Sequence, residues 1–190
     1  MIYLASRSPR RSILLNQIGI PFKVLNVDID ESKQADESAE QYVCRMAETK
    51  ALEGKNMISV DAPIIAADTI ITIDDKILGK PHDRSQCREI LASLSGRQHQ
   101  VLSAVALYSE GETRIKISNN TVSFRRLEAS EIKAYCASDE PLDKAGAYAI
   151  QGRAAVFIDR LDGSYSSVMG LPLFETAELL KQVGIAVLKL

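Results

Sequence analysis

Short apolar segments of strand length alternate with amphipathic stretches along the chain, and that alternation restricts it to the layered α/β folds. Ile2 to Ala5 reads as a first strand running into Ser6-Arg7-Ser8-Pro9-Arg10-Arg11. There Ser8 suits a helix cap and Pro9 the first helical turn, with Leu14, Leu15 and Ile18 as the apolar face and Gly19 as the stop. Phe22 to Val27 is a second strand, followed by the acidic loop Asp28-Ile29-Asp30-Glu31. Ser38-Ala39-Glu40-Gln41 has the form of a capping box and opens a helix that runs to about Gly54, with Tyr42, Val43, Met46 and Ala47 as its stripe. Pro63 to Ala67 is a buried-type strand that delivers Asp68 and Thr69, continues through Ile70 to Ile73, turns at Asp74-Asp75 and returns at Ile77-Leu78.

Asp83 caps a helix whose core face is Cys87, Ile90, Leu91 and Leu94, closed by Gly96. Gln98 to Tyr108 and Thr113 to Arg125 form a hairpin across Glu110-Gly111. Ser130 to Ala137 is a short helix with Ile132, Tyr135 and Cys136 inward, and residues 139–152 are loop. Ala154 to Ile158 reads as a strand, Asp162-Gly163-Ser164 as a turn, and Pro172 opens a helix carrying Leu173, Ala177, Leu180 and Val183 as its apolar positions before Gly184 stops it. No linker, repeat or low-complexity stretch divides the chain, so a single domain over 1–190 is expected.

Composition narrows the partners. The 190 residues carry 23 Lys and Arg against 25 Asp and Glu, a formal charge of −2, so no overall basic field exists to hold a nucleic-acid duplex. Aromatics are 5% with no tryptophan, too thin for a stacking platform on single strands. Apolar runs such as Val101 to Tyr108 are too short to span a bilayer, and Arg7, Arg10 and Arg11 interrupt any signal-peptide core. The three cysteines, Cys44, Cys87 and Cys136, match no zinc set or redox pair, and their odd number argues against a disulfide framework. A reducing cytoplasm is the expected setting.

Three features could carry chemistry. The strand-to-helix turn from Ser6 to Arg11 offers free helical N–H groups, hydroxyls and guanidinium forks, the donor set that phosphate oxygens take. Arginine this close to a helix N-terminus opposes the helix dipole, a conflict that a bound anion relieves. Asp68 is the second. A carboxylate inside the otherwise apolar run Ile64 to Ile71 needs a partner or a purpose, and open α/β sheets place ligands at strand ends. Together with Asp30 or Glu31 it could hold a hard divalent cation. Third are Lys50 and Lys80. Lys50 falls on the apolar stripe of its helix, where spacing alone favours snorkelling to the surface over pointing into a polar cleft. Gly79-Lys80-Pro81 lacks the glycines and following hydroxyl of a P-loop. Neither histidine-based metal binding nor a serine or cysteine nucleophile is indicated.

Taken together, these segments resemble the Maf-type nucleoside triphosphate pyrophosphatases. The resemblance rests on Leu4-Ala5-Ser6-Arg7-Ser8-Pro9-Arg10-Arg11, Ala66-Ala67-Asp68-Thr69, Gly79-Lys80-Pro81 and Leu94-Ser95-Gly96. It continues with Asp143-Lys144-Ala145-Gly146-Ala147-Tyr148, Ile150-Gln151-Gly152, and Gly163-Ser164-Tyr165 through Val168-Met169-Gly170-Leu171-Pro172-Leu173. The resemblance implies an elongated α/β fold of the Maf and ITPase type, a twisted mixed sheet flanked by helices with a deep cleft between two lobes. It implies a cytoplasmic, dimeric enzyme using Mg²⁺ or Mn²⁺ to hydrolyse a nucleoside triphosphate to the monophosphate and pyrophosphate. Carried over by position, Asp68 is general base, metal ligand or both. Ser6, Arg10, Arg11, Lys50 and Lys80 hold phosphates, and Glu31 or Asp30 binds metal beside Asp68. Thr69 and Gln151 resemble the dTTP/UTP subgroup, so Arg10, Thr69 and Gln151 are the expected specificity residues. A house-cleaning or cell-division-arrest role goes with that resemblance. The competing readings are a pyrophosphatase for ITP or 7-methyl-GTP, a nucleotide-binding regulator of septum formation that does not hydrolyse, and a plain structural or interaction domain, which would leave Asp68 in its apolar strand unexplained.

Overall fold

In the computed structural model, which describes residues 1–188, β1 (Ile2–Ala5) leads through α1 (Pro9–Gln17) to β2 (Phe22–Leu25). Lys189 and Leu190, the end of the expected 1–190 domain, lie outside the described residues. The two strands run parallel, Ile2 opposite Phe22 and Ala5 opposite Leu25, so α1 is the crossover of a βαβ unit. Pro9 takes the first helical turn, where an absent N–H leaves no bond unmade, and Ser8 stands at the N-cap position in extended backbone without a side-chain capping bond. Gly19, at φ 69°, carries the chain out of the helix.

α2 (Ala39–Asn56) has the complete capping box: Ser38 Oγ accepts from Gln41 N, and Gln41 Oε1 accepts from Ser38 N. Its buried stripe is Val43, Met46, Ala47, Lys50, Ala51 and Gly54. Gly54 permits close passage over the sheet, since a Cβ there would stand 2.9 Å from that of Ala5 and 3.1 Å from Ile64 Cγ2. β3 (Ile64–Ile73) joins the other side of β1, again parallel, with Tyr3 opposite Ile64 and Leu4 opposite Ile65. The strand order β2-β1-β3 therefore reverses at β1, and in open α/β sheets ligands collect beyond the carboxyl ends of strands at such a reversal.

β4 (Lys76–Leu78) folds back antiparallel on β3 through Asp74 and Asp75, both at positive φ. α3 (Arg84–Leu94) starts where the Asp83 carboxylate accepts from Gln86 N at 2.8 Å. β5 (Gln98–Ser109) and β6 (Glu112–Phe124) are neighbours joined by Glu110-Gly111. Then follow α4 (Ala129–Cys136), β7 (Ile158–Asp162) antiparallel to β6, α5 (Tyr165–Met169) and α6 (Leu173–Gln182). Among the described residues, seven strands make one mixed sheet in the order β2-β1-β3-β5-β6-β7, with β4 on β3, and helices flank it. No helix among them is long and apolar enough to cross a membrane.

The chain forms two compact units. The first contains Met1–Thr69, Ser103–Ser118 and the chain from Gly170 onward. The second contains Ile70–Leu102 and Asn119–Met169. The core of the second packs Leu91, Leu94, Ile132, Phe124, Tyr148 and Phe157 together.

Four expectations need correction. Ala154 to Ile158 is not a strand: Arg153–Phe157 is a 3₁₀ turn and the strand begins at Ile158. Ala154 and Phe157 are its buried pair, three residues apart, the spacing that eclipses on a 3₁₀ helix, whereas a strand buries alternate residues. The segment after the turn at Gly163 forms the short helix α5, which the sequence did not suggest. On α6 the buried face is Thr176, Leu179 and Leu180, while Leu173, Ala177 and Val183 are half-buried. Thr176 tolerates burial because its hydroxyl donates to Pro172 O at 2.7 Å. Finally, Cys87 and Cys136, expected to be unpaired, form a disulfide between α3 and α4, and Cys44 is the free cysteine. Spacing along the chain gave no sign of it, because the helices that carry the two sulfurs meet only through the fold.

Candidate active site

Burial along β3 is complete except at Asp68 and Thr69, the two positions where the strand opens to a polar environment. Leu4 pairs with Ile65, so Asp68 lies beyond the level at which β1 ends. Ser6 follows β1 directly, and the loop after β2 carries Glu31. These groups belong to the first unit, at the carboxyl ends of three parallel strands.

Lys50 joins them from α2. Its ammonium lies 2.7 Å from Asp68 Oδ1 and 2.7 Å from Glu31 Oε1. The lysine side chain is 11% exposed and that of Asp68 13%, which decides against the snorkelling expected from spacing alone. A stripe position usually taken by an apolar residue is occupied by a cation because two carboxylates wait at the end of its stem.

At the start of α1, Ser6 is buried, and its Oγ accepts from Ser8 N at 3.1 Å and from Arg11 Nη1 at 3.2 Å. Arg11 Nε donates to Gly170 O at 2.9 Å. Burial pulls this guanidinium below its ordinary pKa, while Asp68 draws it up, Arg10 pushes it further down and Glu31 draws it up. It stays charged across the physiological range. Gly170 is at φ 125°, and a Cβ there would stand 3.9 Å from both Arg11 Nε and Thr69 Oγ1, so both side chains border the glycine. Thr69 Oγ1 and Ser103 Oγ are 2.7 Å apart across β3 and β5. Arg10 is half-buried beside Arg11.

Not every expected residue joins this group. The Asp30 carboxylate turns back on its own loop, accepting from Ser32 N at 2.8 Å and Ser32 Oγ at 2.9 Å, and these bonds hold its pKa below the usual carboxylate value. Glu31 is the one that meets Lys50. Lys80 and Gln151 belong to the second unit, Lys80 exposed after β4 and Gln151 exposed in a turn closed by Gly152 N donating to Ala149 O.

Glu31 and Asp68 converge on one point, and hard carboxylate oxygens in a pair suit a divalent cation that takes its remaining ligands from phosphate and water. Among the described residues no three or more His, Cys, Asp or Glu side chains gather to hold a metal by themselves. The donors present therefore fit a cation shared with an anionic ligand.

Some contributors escaped the sequence. Tyr42 donates to Glu31 O at 2.8 Å, and Arg45 Nη2 to Ser32 O at 3.0 Å, so α2 holds the acidic loop at two main-chain points. Burial first, then the charges of Asp68 and Glu31, push the Tyr42 phenol up to about 12. Both residues precede Lys50 on the same helix, which was the available signal. Ser103, fully buried in the run Val101 to Leu107, was a second: a hydroxyl among apolar strand residues needs a partner.

Residues 1–183 match the family model described as Maf-like protein. The dTTP/UTP pyrophosphatase of Nitrosomonas europaea is 50% identical, over 98% of this chain and 96% of the relative. That of Methylobacillus flagellatus is 49% identical over 98% and 94%. A solved structure, a nucleoside-triphosphatase/dITP/XTP pyrophosphatase from Mycobacterium abscessus, aligns with a TM-score of 0.42 at 20% identity, over 66% of this chain and 75% of that one.

Proposed function

The chain belongs to the Maf family, and from that premise we propose that it hydrolyses dTTP and UTP to the monophosphate and pyrophosphate. The observation that carries the reading is the meeting of Asp68, Lys50 and Glu31 beside the Ser6–Arg11 turn, which joins a water-activating carboxylate to a phosphate-binding helix start. Glu31 and Asp68 would hold Mg²⁺ or Mn²⁺, which when bound neutralises charge on the phosphate oxygens.

The chain's own groups do the rest. Asp68 orients a water molecule, or takes its proton, as the water oxygen bonds to the α-phosphorus. The bond from that phosphorus to the α–β bridging oxygen breaks, and pyrophosphate leaves with the electron pair. Arg11, Arg10, Ser6, Lys50 and Lys80 bind the phosphates and stabilise the charge that grows on them. Asp30, on its own turn, is a spectator in this reading. Thr69, Gln151 and Arg10 read the base. The whole of 1–190 acts as one catalytic domain, with a second copy as a homodimer, in the cytoplasm, clearing normal or modified pyrimidine triphosphates.

Product analysis tests this. Purified protein with Mn²⁺ or Mg²⁺ is given dTTP, UTP, CTP, ITP and 7-methyl-GTP, and pyrophosphate is resolved from orthophosphate. Pyrophosphate plus monophosphate, released fastest from dTTP and UTP, is expected. Orthophosphate as the first product would contradict the cleavage site, and fastest release from another base would contradict the roles of Thr69 and Gln151. Nucleotide bound without turnover would favour a regulator.

A further inference from the structure

The acidic loop that follows β2 presents Glu31 to Lys50 and Asp68, yet the side chain alone does not decide where its carboxylate goes. Side-chain relative exposure of Glu31 is 49%, and the loop from Val27 to Ser38 forms no ladder with the sheet. A short exposed loop of this kind pays in conformational entropy for any fixed carboxylate position. What fixes this one is α2. Tyr42 Oη donates to the Glu31 carbonyl at 2.8 Å, and Arg45 Nη2 donates to the next carbonyl, Ser32, at 3.0 Å. Arg45 is itself locked, since Nε and Nη2 meet the two Glu37 oxygens at 2.6 and 2.7 Å and its guanidinium stands 5.6 Å from the centre of the Tyr42 ring. Lys50, about two turns further along the same helix, then meets the carboxylate that those main-chain bonds deliver.

We infer that Tyr42, supported by Arg45, is a positioning residue for the divalent-cation site: its hydroxyl holds the Glu31 main chain so that the Glu31 carboxylate stands opposite Asp68. The inference rests on the function proposed above and names a residue outside the reacting groups. One helix thereby sets both the cation that pairs with the two acids, Lys50, and the geometry of the acid that a metal would share with it. Glu31 and Asp68 are strands and loops apart in the chain, so their spacing depends on this clamp.

Tyr42→Phe keeps the ring and its stacking with Arg45 and deletes only the donor. Mn²⁺ binding is measured on the full-length protein by electron paramagnetic resonance, with a uridine triphosphate analogue whose α–β bridge is an imido group, so that no turnover enters the readout. The expected result is Mn²⁺ affinity lowered by roughly 3- to 10-fold, the loss of one hydrogen bond, together with UTP turnover that recovers when Mn²⁺ is raised to saturation. Equal Mn²⁺ affinity in the two proteins would overturn the inference, as would a lowered melting temperature with affinity unmoved, which is what a purely structural bond would give. Pyrophosphate release by the wild-type protein is scored separately. Its absence would overturn the proposed activity, while the Mn²⁺ comparison would still decide the role of Tyr42.

Discussion

Replacing Asp68 with asparagine keeps the shape of the side chain and removes its charge, leaving the Lys50 ammonium with Glu31 as its remaining carboxylate at 2.7 Å. Turnover of UTP should fall by roughly 10²- to 10⁴-fold, the range for loss of a positioned base, with the protein still folded by circular dichroism. Turnover close to wild type would contradict both the base and the metal-ligand role. Asp68 was legible in the sequence because a charge in an apolar strand has few explanations. Lys50 was legible as an oddity on its stripe, but its direction was not, since the acids that receive it come from β3 and from the loop after β2. The Thr69–Ser103 bond was hidden for the same reason: it depends on which strand lies beside β3, and that is a property of the sheet order.

Between elements, the disulfide from α3 to α4 is the strongest single tie in the second unit. Both cysteines are fully buried beside Leu91, Leu94 and Ile132. The bridge closes a stretch of 49 residues, and opening such a loop costs about 2–4 kcal/mol. Denaturant unfolding of Cys87→Ser/Cys136→Ser should show a loss of that order, and an unchanged midpoint would contradict the tie. In a reducing compartment the pair would stand as thiols and the helices would rely on their apolar contact alone. Helix starts were readable because their signals are local: Ser38 and Asp83 cap with their side chains, Pro9 takes a first turn, and Pro172 stands at the N-cap position. The segment from Arg153 to Phe157 was not, because five residues with two buried positions fit a short strand as well as a 3₁₀ turn until the neighbouring chain is known.

For the molecule as a whole, a formal charge of −2 coexists with Arg10 and Arg11 side by side at the start of α1, so a local pair of cations rather than the net charge would meet an anion. Acid sensitivity has a different seat. His99 in the second unit is 2% exposed, its Nε2 is 2.8 Å from Tyr148 Oη, and Phe124 and Tyr148 pack edge-on against its ring. Burial lowers its pKa to about 4, so the folded protein keeps it neutral while the unfolded chain takes up a proton near pH 6.5. Stability should therefore fall as pH drops from about 6.5 toward 4, by about 2 kcal/mol between pH 7 and pH 5. Urea unfolding at both pH values checks this: His99→Gln should lose that part of the pH dependence, and identical dependence in both proteins would contradict it. The most direct test of the chemistry is hydrolysis of UTP in H₂¹⁸O, with the products separated by mass spectrometry. The ¹⁸O is expected in the monophosphate, as attack at the α-phosphorus requires, and its appearance in pyrophosphate instead would contradict that attack.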